Sequence, residues 1–211
     1  TNLFGVPLVN LSRTGFGPGM KVLKRFVDIL GSSAALIFLS PVTLLLALAV
    51  KKGSSGPIFY RQERLGLHGK PFQIIKFRTM IEGAEGSRPQ LSSDEDPRIT
   101  AVGRRLRKTR LDELPQFWNV LKGEMSLVGP RPERAFFTDQ IIQHSPHFLR
   151  LQQVRPGITS WGQVKYGYAE NVNEMRQRLR YDIMYLENIS LLLDLKILLF
   201  TVRTVLRGEG K

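Results

Sequence analysis

A chain of 211 residues, 42% hydrophobic and 23% charged, suits one folded domain, or a domain plus an appendage, and is too apolar for wholesale disorder. It has no cysteine and only three scattered histidines, His68, His144 and His147, which excludes disulfide frameworks and Cys-based zinc or iron–sulfur centres. With 31 Lys and Arg against 18 Asp and Glu the formal charge is +13, which calls for an anionic partner: nucleic acid, anionic lipid or a phosphorylated substrate.

Residues 1–20, with four glycines and two prolines, read as an irregular lead-in, with a short strand at 6–11. Residues 29–50 then run for 22 positions without a charge. As one helix they would be roughly 33 Å long, enough to cross a bilayer core. Ser40-Pro41 interrupts the run, because proline removes a backbone donor and clashes with the carbonyl four residues back. Lys21, Lys24 and Arg25 precede the run, and Lys51 and Lys52 follow it. Positive residues favour the cytoplasmic side, so a re-entrant hairpin with both ends on one face and a kinked transmembrane helix are equally compatible with the residues alone.

Residues 57–62 and 72–77 are apolar, β-branched or aromatic, with Gly66, Gly69 and Pro71 between them, which predicts a β-hairpin. Residues 83–98 are polar and read as a mobile loop. Short helices are predicted at 102–107 and 112–121, the second with Pro115 in its first turn and Gly123 ending it. Residues 132–144 and 172–186 follow a helical pattern. Residues 154–159 read as a turn, and Trp161 after it either stacks on a base or packs in the core. Ser190 caps a last helix, 191–206, closed by Gly208. Its Lys196, Arg203 and Arg207 fall on one face, the pattern of an interfacial helix or of a core helix with one solvated edge.

Asp112 and Glu113 are adjacent carboxylates preceded by Arg104, Arg105, Arg107, Lys108 and Arg110, a setting that keeps both acids ionised at neutral pH. An ionised Asp beside phosphate-holding cations is suited to attack phosphorus. Arg131, between Pro130 and Pro132, has a stiff backbone that can aim its guanidinium at phosphate oxygens. Lys76 and Arg78 end the second hairpin strand, and Arg155 sits in the 154–159 turn. Each motif alone also fits a plain capped helix, strand end or turn. No zinc finger, RNA-recognition or helix-turn-helix signature is present, so nucleic acid is not the expected partner.

Taken together, the motifs resemble the bacterial sugar transferase family, the monotopic phosphoglycosyl transferases. The resemblance rests on Lys24-Arg25 with Asp28, Ser40-Pro41, Gly56-Pro57 with Arg61-Gln62, and Lys76-Phe77-Arg78-Thr79-Met80. Next in order come Asp96-Pro97-Arg98-Ile99-Thr100, Gly103, Leu111-Asp112-Glu113-Leu114-Pro115-Gln116 and Asn119-Val120-Leu121. Gly129-Pro130-Arg131-Pro132 and Arg155-Pro156-Gly157-Ile158-Thr159 complete it, over about residues 21–207.

The resemblance implies transfer of a sugar-1-phosphate from a UDP-sugar to polyprenyl phosphate with release of UMP. Asp112 would be the nucleophile and Glu113 its acidic partner. Lys76, Arg78, Arg107, Arg131 and Arg155 would bind substrate, and Glu113 and Asp194 would hold Mg²⁺. It implies an α/β, mostly α, architecture: a re-entrant membrane helix at 21–52, then a catalytic domain at 53–211 with a small β-hairpin and interfacial amphipathic helices. It tips the membrane reading to the hairpin and puts the protein on the cytoplasmic face of the bacterial inner membrane. The expected partners are a UDP-sugar, polyprenyl phosphate and membrane lipid, with a homo-oligomer compatible. Residues 1–20 resemble the junction of longer members, which makes this chain the catalytic part of one. Ser160 and Gly162 stand where many relatives have Gly and Ala, in a segment expected near the nucleotide or sugar. The alternatives are a basic membrane-anchored scaffold and a nucleotide-diphosphate hydrolase.

Overall fold

The computed structural model describes residues 2–3, 6–7, 17–85, 89–93 and 96–208. It is mostly helical. β1 (Asn2–Leu3) pairs antiparallel with β2 (Val6–Pro7), while positions 8–11 of the expected first strand lie outside the described residues.

α1 (Pro18–Phe38) and α2 (Ser40–Gly53) form the apolar region and are bent by 63° at Leu39. The cause is local. Pro41 has no N–H to donate to Ile37 O, four residues back, and the Ser40 hydroxyl takes that carbonyl instead at 2.8 Å. No single described helix is long and apolar enough to cross a membrane; the bent pair together passes that test.

α1 is fastened to the body behind it. Asp28, which is buried, accepts from Ser126 Oγ at 3.0 Å and from Leu127 N at 2.9 Å. Arg25 donates to Val120 O and Leu121 O, the last carbonyls of the helix that carries them. Lys24 pairs with Asp194. Two of the three leading cations read above as membrane-side charges are thus bound to protein, and Lys21 remains exposed.

The hairpin is present as β3 (Phe59–Leu65) and β4 (Pro71–Phe77), in register from Phe59↔Phe77 to Leu65↔Pro71. Tyr60 is paired with Lys76, which puts both on one face. The described part of 83–98 forms turns without helix or strand, and 86–88 and 94–95 lie outside the described residues. α3 (Ala101–Lys108) is capped by Thr100, whose hydroxyl accepts from Gly103 N at 2.9 Å. It packs so closely on the end of β4 that a Cβ at Gly103 would lie 2.0 Å from Thr79 O.

The helix expected at 112–121 is divided. A 3-10 turn at Leu111–Glu113 precedes α4 (Gln116–Lys122), because Arg110 adopts the left-handed conformation (φ 55°) and tightens the turn after it. Residues 154–159 are not a plain turn either. β6 (Gly157–Thr159) runs parallel to β5 (Ser126–Val128), and Gly129 and Gly157 approach so closely that a side chain on either would meet backbone.

α5 (Ala135–His144), α6 (Trp161–Lys165), α7 (Val172–Glu187) and α8 (Leu191–Arg207) complete the body, α8 capped by Ser190 and closed by Gly208. The main core joins Val128, Phe137, Ile141, Tyr185 and Ile197, while Val50, Phe77 and Leu106 join α2, β4 and α3 in a second cluster. The outward edge of α8 is apolar, with Leu192, Leu195, Leu199, Val202 and Leu206 exposed beside Lys196, Arg203 and Arg207. This edge mixes exposed apolar and basic side chains, so it is not a purely polar solvated edge.

Candidate active site

Five segments meet at one cavity of about 440 Å³. β4 supplies Lys76, α3 supplies Arg107 and the 3-10 turn supplies Asp112 and Glu113. Arg131 enters where the chain leaves β5, and Tyr168 enters from the α6–α7 connection.

Glu113 is buried and fully engaged. Its Oε1 accepts from Lys76 Nζ at 2.7 Å and its Oε2 from Arg110 Nη2 at 2.8 Å, with Arg131 Nη1 3.7 Å from Oε1. Burial alone would raise its carboxyl, but Lys76, Arg110 and Arg131 outweigh that and hold it well below the usual carboxylate range. Asp112 differs. It too is buried, yet among the described residues it makes no ion pair within 4 Å. Burial, with Glu113 adding to it, raises Asp112 to about 6 against the opposing pull of Lys76, Arg107 and Arg110. The cations still leave it largely a carboxylate at neutral pH, with a narrower margin than the charge pattern of the sequence suggests. One acid is a locked anion and the other an open carboxylate poised near neutrality.

The cations around them divide in the same way. Arg107 donates from Nη2 to Ser92 Oγ, whereas its Nη1 is buried without a partner. Arg131 donates no hydrogen bond among the described residues, although burial opposes its charge and Tyr168, Glu113 and Glu133 hold its pKa above the usual value. Both residues line the cavity and keep guanidinium donors that no described group takes, the requirement for holding phosphate oxygens.

The other expected site residues are placed elsewhere or otherwise occupied. Arg78 reaches the cavity wall, but its Nε, Nη1 and Nη2 donate to the carbonyls of Pro57, Ser55 and Ser54, tying the exit of α2 to the hairpin. Arg155 does not line the cavity; its Nε donates to Gly123 O at 2.8 Å. Asp194 is held by Lys24 and by Tyr185 OH, also outside the cavity lining. Ser160, Trp161 and Gly162 do not line it either. Ser160 caps α6, Trp161 packs edge-on against Phe200, and Gly162 faces the Asp182 carboxylate and Arg178.

A bound Mg²⁺ is the group the resemblance implies. Among the described residues no three His, Asp or Glu side chains cluster for a metal, and both Glu113 oxygens are in ion pairs. The donor set nevertheless fits Mg²⁺, which retains several waters and needs only one or two carboxylates when phosphate supplies the rest. Asp112 is the carboxylate free to do so. Glu113 and Asp194 are not a matched pair of ligands in this arrangement.

Two features of the site escape the sequence reading, and a third, Arg110, is read there only as one of five flanking cations. Arg110 is its buried clamp on Glu113 and also reaches Ile158 O at 3.3 Å. Glu133, bridged between Arg64 and Arg178, braces the turn that carries Arg131. Tyr168 lies under two guanidiniums. Of these, only the proximity of Arg110 to Glu113, three residues apart after a helix, has a local signal.

The chain is 44% identical over 188 residues to the UDP-N-acetylgalactosamine-undecaprenyl-phosphate N-acetylgalactosaminephosphotransferase of Aeromonas hydrophila, covering 89% of this chain and 44% of that protein. It is 44% identical over 189 residues to the UDP-glucose:undecaprenyl-phosphate glucose-1-phosphate transferase of Caulobacter vibrioides, covering 89% and 71%. It is 41% identical to the uncharacterized sugar transferase EpsL of Bacillus subtilis, covering 90% of each. The chain spans less than half the length of the Aeromonas protein and of the similar Klebsiella pneumoniae and Escherichia coli proteins. Residues 19–208, which hold every cavity-lining side chain, match the family described as bacterial sugar transferase, and the chain belongs to that family.

Proposed function

We propose that this chain transfers a sugar-1-phosphate from a UDP-sugar to polyprenyl phosphate through a covalent intermediate on Asp112. The observation that carries the proposal is a buried but unpaired carboxylate facing unused guanidinium donors across one cavity. The names of the similar proteins, which pair UDP-sugars with undecaprenyl phosphate, support the substrate classes.

An Asp112 carboxylate oxygen attacks the sugar-bearing phosphorus, and the bond from that phosphorus to the bridging oxygen breaks as UMP leaves. A phosphate oxygen of the lipid then attacks the same phosphorus. The acyl-phosphate bond breaks, which regenerates the carboxylate and releases polyprenyl-diphosphate sugar. Lys76, Arg107 and Arg131 orient the diphosphate and offset its charge; Glu113 fixes Lys76 and supplies the counter-charge near Arg131, and Ser92 holds Arg107. Mg²⁺, held by Asp112 and the donor phosphates, would supply further charge neutralisation.

UMP release from UDP-glucose and UDP-N-acetylgalactosamine, with and without undecaprenyl phosphate and in Mg²⁺, tests the function. Sustained release that needs the lipid, with a phosphosugar adduct on intact protein when the lipid is withheld, is expected. Lipid-independent turnover would make the protein a hydrolase. Because Asp112 titrates at about 6, kcat/KM should fall tenfold per pH unit below about pH 6. An acid limb that stays near pH 4 as Mg²⁺ is lowered would mean that Asp112 is not the group that must be deprotonated.

The proposed location is the cytoplasmic face of the inner membrane, with α1 and α2 entering and leaving one leaflet. The bend at Leu39 and the exposed Lys21, Lys51 and Lys52 at the two ends support it. Cysteines placed at Gly19 and Ser55 should react with an impermeant reagent from the same side. Pro41→Leu restores the donor for Ile37 O, and it should move a substantial fraction of molecules to labelling from opposite sides. Opposite labelling of the unaltered sequence would show a true span.

A further inference from the structure

Arg131 poses a problem of orientation. Its guanidinium sits at the end of a long side chain, and no hydrogen bond from it fixes the plane among the described residues. Its nearest carboxylate oxygen, on Glu113, is 3.7 Å away, beyond hydrogen-bond reach. What lies against it is the ring of Tyr168, whose centroid is 5.1 Å from Arg131 Cζ. Arg110 Cζ lies 5.7 Å from the same centroid.

The placement of that ring is built. Gly167 has φ +95°, a conformation L side chains rarely adopt, and it turns the chain so that Tyr168 enters the cavity. On one side Tyr166 OH donates to Gln177 Oε1 at 2.8 Å; on the other, Ala169 is buried in the main core. The connection is therefore held at both ends, with Tyr168 between them.

We propose that Tyr168 is a positioning residue for the diphosphate of the donor, its ring holding the Arg131 guanidinium in the plane that phosphate needs. The inference rests on the transferase reading above. An aromatic face attracts a guanidinium through its quadrupole and leaves the in-plane N–H edges free. A carboxylate or carbonyl partner would orient Arg131 equally well but would occupy the donors that must reach phosphate. Arg110 shows the contrast: it rests on the same ring, but its donors are committed to Glu113 and Ile158 O. The ring, rather than the hydroxyl, carries the role.

The test uses the full chain in lipid, with UMP release as one readout and calorimetric binding of inorganic pyrophosphate as the other. Tyr168→Leu is expected to lower kcat/KM tenfold or more and to weaken pyrophosphate binding similarly, and Tyr168→Phe to recover most of both losses. In an Arg131→Lys background, which cannot use the ring in the same way, Tyr168→Leu should cost less than threefold. An equal loss in both backgrounds would indicate a merely structural role and overturn the proposal. So would a Phe variant as impaired as Leu, or a Leu variant that binds pyrophosphate normally. If Tyr168→Leu melts early, Tyr168→Met fills similar volume without an aromatic face and is read by the same criteria. Should the unaltered protein bind pyrophosphate but release no UMP, the transferase reading fails while the binding arm still decides the role of the ring.

Discussion

Asp112→Asn should abolish turnover and adduct formation, by at least about a thousandfold, because an amide is a poor nucleophile toward phosphorus. The same change should make the protein more stable at neutral pH. The folded environment raises the carboxyl from 3.8 to about 6, mainly through burial, so the native state is penalised for the charged form. That penalty is fully present above about pH 6 and vanishes below about pH 4. Removing the charge should therefore gain on the order of 1–3 kcal/mol at pH 7.5, a gain that shrinks toward zero at pH 4. Denaturant melts at the two pH values, beside UMP assays, measure both halves. An Asn variant that is inactive but also less stable at pH 7.5 would point to a structural role for the carboxylate. Retained turnover would favour direct attack by the lipid phosphate.

Glu113→Gln should act in the opposite direction on stability. Glu113 is the shared counter-charge of Arg110, which is buried, and of Lys76 and Arg131, which are half-buried. Breaking a buried pair from one side costs roughly 3–5 kcal/mol, because the remaining charges have no compensation. The urea midpoint should drop accordingly, and turnover should fall by two orders of magnitude or more as the cations lose their fixed positions. UDP should then stabilise the Gln variant more than the parent, since its phosphates replace the missing anion. A Gln variant with the stability of the parent would show that the three cations are not held by that carboxylate.

Some of this was legible in the residues and some was not. The β3–β4 hairpin, the Ser190 cap and the Ser40-Pro41 break follow from local rules, since alternation, a side-chain acceptor and a missing N–H act within a few residues. The family motifs put Lys76, Arg107, Asp112, Glu113 and Arg131 on one shortlist, and the fold brings all five to one cavity. Arg78 and Arg155 looked alike in sequence but point at backbone carbonyls, because a cation's partner is decided by the tertiary neighbours it meets. Tyr168 had no local mark at all. Tyr166-Gly167-Tyr168 matches no motif, and the Tyr168 ring acquires meaning only from two arginines 58 and 37 positions earlier in the chain. The different behaviour of Asp112 and Glu113 was equally hidden, since adjacent acids share a charge pattern but not a set of partners.

The fastening of α1 bears on how this protein can be handled. A common route to a water-soluble fragment is to cut away the apolar segment, here residues 17–53. That cut would remove Asp28 from the Leu127 amide and Ser126 hydroxyl, Arg25 from the carbonyls of Val120 and Leu121, and Lys24 from Asp194. It would also strip Val50 from the cluster under Phe77 and Leu106. The strand that delivers Arg131 begins at Ser126, so the damage would run straight to a side chain that lines the cavity. Solubilising the intact chain by repolarising exposed positions such as Phe38, Leu44 and Leu45 leaves each of those fastenings in place.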